Sequence, residues 1–335
     1  MNKYLLSIVF AFCSSIVDAS GLIPDDSVKH QSDCFSGKFS SYESWRGFIE
    51  QKNKAQGKSE KLIDKAMQSF DKRFSKTDFD FYRNELICSS FIYQVDGVDV
   101  FGYVIKPRNH TGNLPVLIYN RGGNGNFGSV VFASMMHNLF PIANEGFVVI
   151  GSQYRGTFSE QDNADEFGGK DVDDVVALRD FIGQIPGADP QRVGMFGASR
   201  GGMQTFLALK RMEEVKAIAT IAGVSDLSKE IAHRPEMERV FKHRIPDYQH
   251  NKKAELEKRS TLNNLDDLSA SVPILLLHGT DDERVQVEQS TLLAEALSRK
   301  QLPHKLVLYP GDNHFLSNNK EKANKEIVDW FKRYL

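Results

Sequence analysis

The hexapeptide GASRGG, Gly197 to Gly202, follows the short apolar run Arg192-Val-Gly-Met-Phe196 and leads into a helical pattern. A serine with glycine two residues before and two after it, between a strand and a helix, reads as a nucleophile elbow. The turn is too tight for side chains at its flanks, and it lifts the hydroxyl of Ser199 clear of a sheet at a helix N-terminus. There the helix dipole favours negative charge developing beside the serine. Gly-x-Ser-x-Gly also occurs in ordinary turns, so the reading depends on partners elsewhere in the chain.

Those partners lie downstream. In hydrolases that use an elbow the chain order is Ser, then Asp or Glu, then His. The buried-strand pattern Pro273-Ile-Leu-Leu-Leu-His278 empties into Gly279-Thr-Asp-Asp-Glu-Arg-Val285, and Lys305-Leu-Val-Leu-Tyr309 empties into Pro310-Gly-Asp-Asn-His-Phe315. Ser199, His314 and the pair Asp281 and Asp282 therefore each lie just past the C-terminal end of a strand, where open parallel sheets carry their sites. A serine hydroxyl is a poor nucleophile until a base takes its proton, and a histidine suits that task near neutral pH. An aspartate would fix the imidazole tautomer and stabilise the imidazolium.

The rest of the pattern fits such a sheet. From Leu114 onward apolar strands alternate with helices. The strands are expected at Val116–Tyr119, Phe147–Gln153, Arg192–Phe196, Lys216–Ile221, Ile274–His278 and Lys305–Tyr309. Helices are expected at about Ser129–Asn144, Asp171–Gln184, Arg200–Met212, Gln286–Arg299 and Lys320–Tyr334. This alternation calls for an α/β fold, a mostly parallel central sheet with helices on both faces. A hairpin around Asp96-Gly97 would supply antiparallel strands at its start. Before it, residues 20–84 read as an N-terminal helical segment, with two amphipathic helices between Ser41 and Phe74. Residues 85–335 then form the catalytic domain. Residues 223–272 interrupt the alternation after the nucleophile and before the acid, and are a candidate lid.

The chain has 335 residues, 41% hydrophobic and 26% charged, which permits a sizeable core. A formal net charge of −2 gives no electrostatic reason to expect nucleic acid or an anionic membrane as partner. Lys3, the apolar run Leu5 to Val17 and the small-residue pattern Val17-Asp-Ala19 resemble a secretory signal peptide over residues 1–19. The expectation is export to a periplasm or the medium, with a mature chain starting near Ser20 and no stable membrane anchor. Cys34 and Cys88 would then meet an oxidising compartment, as a disulfide or as two separate buried thiols. No CxxC, Cys-His spacing or HExxH pair points to a metal. Gly123-Asn-Gly-Asn-Phe-Gly128 matches a dinucleotide fingerprint, but the next strand ends in Gln153-Tyr154, where the ribose-binding acid belongs. We expect no metal and no organic cofactor. The same loop can instead face the elbow as part of an oxyanion hole, one donor being the backbone N–H of Arg200 and the other coming from Asn120 to Gly123.

RVGMFGASRGGM, ILLLHGTDDERV and YPGDNHF, together with SQYRGTFSEQDNADEFGGKDVDDV, resemble the catalytic domain of the prolyl oligopeptidase family of serine peptidases, over roughly Leu86 to Leu335. The resemblance implies the α/β-hydrolase fold and a triad of Ser199, His314 and Asp282, the aspartate three residues before the valine of DDERV. It also implies a small peptide substrate, with an ester as the alternative. Two features depart from the family. Its oxyanion loop usually carries a tyrosine where IYNRGG has Arg121, which can act through its guanidinium or leave the task to backbone groups. The N-terminal β-propeller of the larger relatives has no counterpart in the helical segment. Arg155 is expected to pair with Glu166 or Asp171, Asp171 to cap the helix it begins, and His278 to be a hydrogen-bonded structural residue.

Overall fold

The computed structural model describes residues 21–24, 26–159 and 164–335; the signal-like segment 1–19 lies outside them. The strands are β1 Lys29–Asp33, β2 Leu86–Val95, β3 Val98–Pro107, β4 Leu114–Asn120, β5 Val148–Ser152, β6 Ala188–Ala198, β7 Val215–Ile221, β8 Ile274–Gly279 and β9 His304–Tyr309. They form one sheet in the order β1-β2-β3-β5-β4-β6-β7-β8-β9. Pairing is antiparallel from β1 through β3 to β5, and parallel from β5 to β9.

The helices are α1 Tyr42–Ala55, α2 Glu60–Arg73, α3 Lys76–Glu85, α4 Phe132–Ser134, α5 Phe140–Ala143, α6 Asp171–Val176, α7 Arg179–Ile182, α8 Arg200–Leu209, α9 Leu227–His233, α10 Met237–Arg244, α11 Tyr248–Arg259, α12 Glu288–Arg299 and α13 Lys320–Tyr334. The central strands are apolar on both faces because both are covered. Val116, Ile118 and Leu276 point into one core with Phe206 of α8 and Leu297 of α12. Their neighbours Leu117, Leu275 and Leu277 point into the other core with Phe331 of α13, as the two-residue period of a strand requires.

The N-terminal helices belong to that second core. Trp45 of α1 meets Phe70 edge-on at 4.7 Å and Phe132 at 5.0 Å. Cys34, just past β1, is disulfide-bonded to Cys88 of β2, which resolves the alternative left open by the sequence.

Three expectations are corrected. Strand β1, Lys-His-Gln-Ser-Asp, lies in the segment read as helical; its exposed edge position needs no apolar pattern. The helix expected over Ser129–Asn144 is broken by a π-helical turn at Met135–Leu139. Pro141 has no N–H to offer the carbonyl four residues back, and the register widens so that the Phe140 N–H donates to Met135 O. The helix expected over Asp171–Gln184 is split into α6 and α7 by three-residue turns, with Leu178 N–H donating to Val175 O and Phe181 N–H to Leu178 O.

Candidate active site

Ser199 sits between β6 and α8 with φ +57° and ψ −125°. This is a conformation that costs a non-glycine residue about 1–3 kcal/mol and persists only where the surroundings enforce it. Here they do. The Ser199 N–H donates to Ile221 O at 2.8 Å, and its carbonyl accepts from Gly202 N–H at 2.9 Å. A Cβ at Gly197 would lie 2.1 Å from Gly201 O, and one at Gly201 would lie 1.9 Å from Asn120 O. The glycine spacing read from the sequence is therefore a steric requirement of the turn.

His314 and Asp282 meet across two loops. His314 Nδ1 lies 2.7 Å from Asp282 Oδ2. The Asp282 side chain is fully buried, while that of His314 keeps 10% of its surface open. Asp282 Oδ1 accepts from the N–H groups of Arg284 at 2.8 Å and Val285 at 3.0 Å. His278 Nε2 approaches Oδ2 at 3.1 Å. Burial alone would raise the pKa of Asp282, but the hydrogen bonds from His278 and His314 outweigh it and hold the carboxyl well below the usual carboxylate range. Asp281 is exposed and takes its hydrogen bond from Thr280 Oγ1, at 3.0 Å.

The loop bearing His314 is tied down by Asp312, whose buried carboxylate accepts from the N–H groups of Asn313, Asn318 and Asn319 and from Asn319 Nδ2. Gly279 lets that loop rest on the acid loop, since a Cβ there would lie 2.3 Å from Asp312 O.

Ser199 and His314 line one cavity of about 260 Å³ together with Gly123, Asn124, Phe127 and Phe167. The candidate lid supplies Glu230, Arg234, Met237 and Phe241 to the same cavity, and the acid loop supplies Arg284. Glu230 is 3% exposed. Burial pushes its carboxyl up to about 7, against the lowering influence of Arg234 and His233. Nothing in the sequence singled out Glu230 or Arg284, because only the folding of α9 and of the acid loop brings them to Ser199.

The backbone at Gly122 runs against Ser199, where a Cβ would lie 3.1 Å from Ser199 Cβ. The Arg200 N–H opens α8, and first-turn N–H groups have no intrahelical acceptor. Arg121 is corrected as a side-chain donor. Its five N–H groups are all engaged: Nε with Gln153 O, Nη1 with Gly122 O and Phe127 O, and Nη2 with Gly125 O and Thr157 Oγ1, at 2.7–3.1 Å. Burial lowers its pKa to about 10. The guanidinium shapes the loop and does not reach the cavity.

The buried ion pairs also differ from expectation. Arg155 pairs with Asp174, through Nη2 to Oδ1 at 2.7 Å, and not with Glu166 or Asp171. Asp171 goes instead to Arg200, as does Asp165, each at 2.6 Å from Nη2. Asp171 caps no first-turn N–H of its own helix. It accepts from Gly168 and Gly169 N–H in the preceding turn, and the N-cap is Lys170. Spacing could not choose among these acids, since the pairs close 29 and 35 residues apart.

Residues 133–335 match the model of the prolyl oligopeptidase family, Peptidase_S9. Over 242 residues the chain is 27% identical to the uncharacterized peptidase YtmA of Bacillus subtilis strain 168, covering 72% of this chain and 91% of that protein. Over 252 residues it is 26% identical to dipeptidyl-peptidase 5 of Porphyromonas gingivalis, covering 72% of this chain and 36% of that protein. The solved acylaminoacyl peptidase of Pyrococcus horikoshii superposes with a TM-score of 0.66 at 22% identity, over 78% of this chain and 44% of that one. The chain thus spans most of one of these relatives and less than half of the other two. The matched segment holds the elbow, the acid loop and the histidine loop, and the sheet is that of solved α/β-hydrolase peptidases, so the chain belongs to the prolyl oligopeptidase family of serine peptidases.

Proposed function

We propose that the protein cleaves short peptides by acyl transfer through Ser199, with His314 as general base and acid and Asp282 as its orienting carboxylate. The observation that carries this reading is the 2.7 Å contact of His314 Nδ1 with Asp282. It leaves Nε2 of His314 for Ser199, which lines the same cavity. In the first half-reaction the Ser199 hydroxyl adds to the scissile carbonyl carbon as its proton passes to His314 Nε2. The tetrahedral oxyanion is met by backbone N–H groups of Arg200 and of the loop at Gly122. The C–N bond then breaks, His314 returns the proton to the departing amine, and an acyl-Ser199 ester remains. Water repeats the sequence and releases the acid.

Short peptides are favoured by the cavity itself. Its volume of about 260 Å³ falls below the roughly 300–1,000 Å³ of sites that enclose a drug-sized ligand. Lid residues of α9 and α10 wall it on one side, which suits a substrate presenting one or two residues. The names of the relatives, a dipeptidyl-peptidase and an acylaminoacyl peptidase, are consistent with this. We also propose that the protein is exported, on the signal-like pattern of residues 1–19 and the Cys34–Cys88 disulfide. Recovery of the native protein from the cytosolic fraction with its first residues intact would oppose export.

The test of activity is steady-state kinetics on matched chromogenic acyl esters and short peptide amides, with Ser199→Ala as control and a fluorophosphonate probe to label the nucleophile. Serine-dependent amide cleavage is the expected result. Ester cleavage alone would make the protein a carboxylesterase with the same triad, and failure of both turnover and labelling would make it a silent binding protein.

A further inference from the structure

His278 is a buried imidazole to which the mechanism above gives no task. It lies near the end of β8, is 0% exposed, and cannot touch a substrate. Its surroundings nevertheless assign its proton. Nε2 is 2.8 Å from Val285 O and 3.1 Å from Asp282 Oδ2. A carbonyl and an ionised carboxylate can only accept, so Nε2 carries hydrogen and divides it between them. Nδ1 lies 2.7 Å from Ser290 Oγ of α12. With the ring neutral, the Ser290 hydroxyl donates to Nδ1 and no other tautomer satisfies the three contacts.

The oxygen that His278 reaches is the one that holds His314. Asp282 Oδ2 receives His314 Nδ1 at 2.7 Å and His278 Nε2 at 3.1 Å, whereas Oδ1 receives two backbone N–H groups. The carboxylate is thus fixed in its plane by four donors. Without the His278 donor, Oδ2 is held on one side only, by the imidazole that moves protons during turnover.

Resting on the triad reading above, we propose that His278 is a positioning residue for Asp282, and that Ser290 locks its tautomer. A hydrogen-bonded chain then runs from α12 to the imidazole that shares a cavity with Ser199: Ser290 to His278 to Asp282 to His314. Outer partners of this kind hold a reacting group in orientation, and their loss from metal sites typically costs about 10–100-fold.

The test uses His278→Leu, His278→Gln and Ser290→Ala in the full chain, with the ester substrate and Ser199→Ala in parallel. Gln places a side-chain N–H near the position of Nε2 and Leu does not. The expected result is a fall in kcat of about 10–100-fold for His278→Leu with KM within about twofold, and recovery to within about threefold of wild type in His278→Gln. A purely structural histidine would give equal losses in both variants, or losses that follow the urea midpoint, and either outcome overturns the proposal. So does an unchanged kcat in His278→Leu. If His278→Leu does not fold, Ser290→Ala decides: a severalfold lower kcat at unchanged KM is expected, and wild-type kcat overturns the proposal. Turnover that survives Ser199→Ala would refute the triad reading itself, a result separable from every other.

Discussion

Replacing Asp165 by asparagine probes how the elbow is held against the loop that faces it. Asp165 is fully buried, and its carboxylate receives Arg200 Nη2 at 2.6 Å, Arg200 Nη1 at 2.9 Å, Gly125 N–H at 2.8 Å and Phe167 N–H at 2.9 Å. Arg200 Nη1 also donates to Gly123 O at 2.9 Å. One ion pair therefore joins the residue after Ser199 to the loop at Gly123 and Gly125. Asparagine keeps one acceptor and turns an NH₂ toward a donor. Breaking one side of a buried pair costs about 3–5 kcal/mol, and an orphaned buried N–H costs about 1–3 kcal/mol. Asp171 still faces Arg200 at 2.6 Å, which offsets part of this, so we expect a loss of about 3–4 kcal/mol in urea unfolding at pH 7. The loss should depend on pH. Burial raises the pKa of Asp165, but Arg200 more than reverses this and the group ends below the ordinary carboxylate value. A depressed folded pKa gives stability that is present above the unfolded pKa and is lost as pH falls through the folded one. The gap between wild type and Asp165→Asn should therefore narrow as pH drops below about 4. Esterase kcat should fall about tenfold, since donors that lose registry stabilise the oxyanion less. A variant within about 1 kcal/mol of wild type at pH 7, with full kcat, would refute the claim that this pair fastens the site.

Ser199→Ala should abolish turnover and probe labelling, Asp282→Asn should lower kcat by about 10³–10⁴-fold, and Asp281→Asn should stay within about threefold of wild type; near-normal rates in Asp282→Asn would sink the choice of acid. Cys34 and Cys88 are separated by 54 positions, which on the chain-entropy model gives about 4 kcal/mol, so Cys34→Ser or reduction should lower the urea stability by that order, and an unchanged midpoint under reductant would contradict it. Glu230 has a folded pKa raised by burial to about 7 from 4.5. Its contribution is fully present below the unfolded value and is lost as pH rises through about 7. Glu230→Gln should therefore match wild type near pH 4 and be more stable by about 3 kcal/mol at pH 8; parallel stability curves would show that the carboxyl does not titrate in the fold.

What the sequence disclosed follows from how local each signal is. Ile274–His278 is legible as a buried strand because both its faces are covered, and Lys305–Tyr309, a partly exposed edge strand, is legible through its short apolar run; the loops that follow them are where side chains converge. The choice of Asp282 over Asp281 came from family resemblance, and the packing gives its reason: Asp282 turns inward under His278 and His314 while Asp281 stays in solvent. Strand β1 was illegible because an exposed edge strand of Lys-His-Gln-Ser-Asp carries no apolar period. The interrupted helix around Pro141 shows the opposite failure, a clear apolar pattern overriding a local breaker. Ion-pair partners were beyond reach because Arg155, Asp165, Asp171, Asp174 and Arg200 lie on segments whose approach is set by the sheet.

Arg121 stands where the family usually has a tyrosine, and its geometry suggests how charge can act without contact. Each N–H of its guanidinium is bound to a carbonyl or to Thr157 Oγ1, so no carboxylate among the described residues hydrogen-bonds to it. Arg200, by contrast, is neutralised by Asp165 and Asp171. Both guanidiniums lie over the Tyr154 ring, at 4.9 and 5.1 Å, and the Tyr154 hydroxyl donates to Arg121 O at 3.0 Å. The loop that faces Ser199 is thus built around a buried positive charge whose hydrogen-bond partners are neutral, beside the N-terminus of α8. Fixed dipoles and charges in a water-poor site act on developing negative charge without having to reorganise. Under the mechanism proposed above, this cation orients the loop that carries the Gly122 backbone and adds to the field at that backbone and at the Arg200 N–H, without contacting the substrate itself.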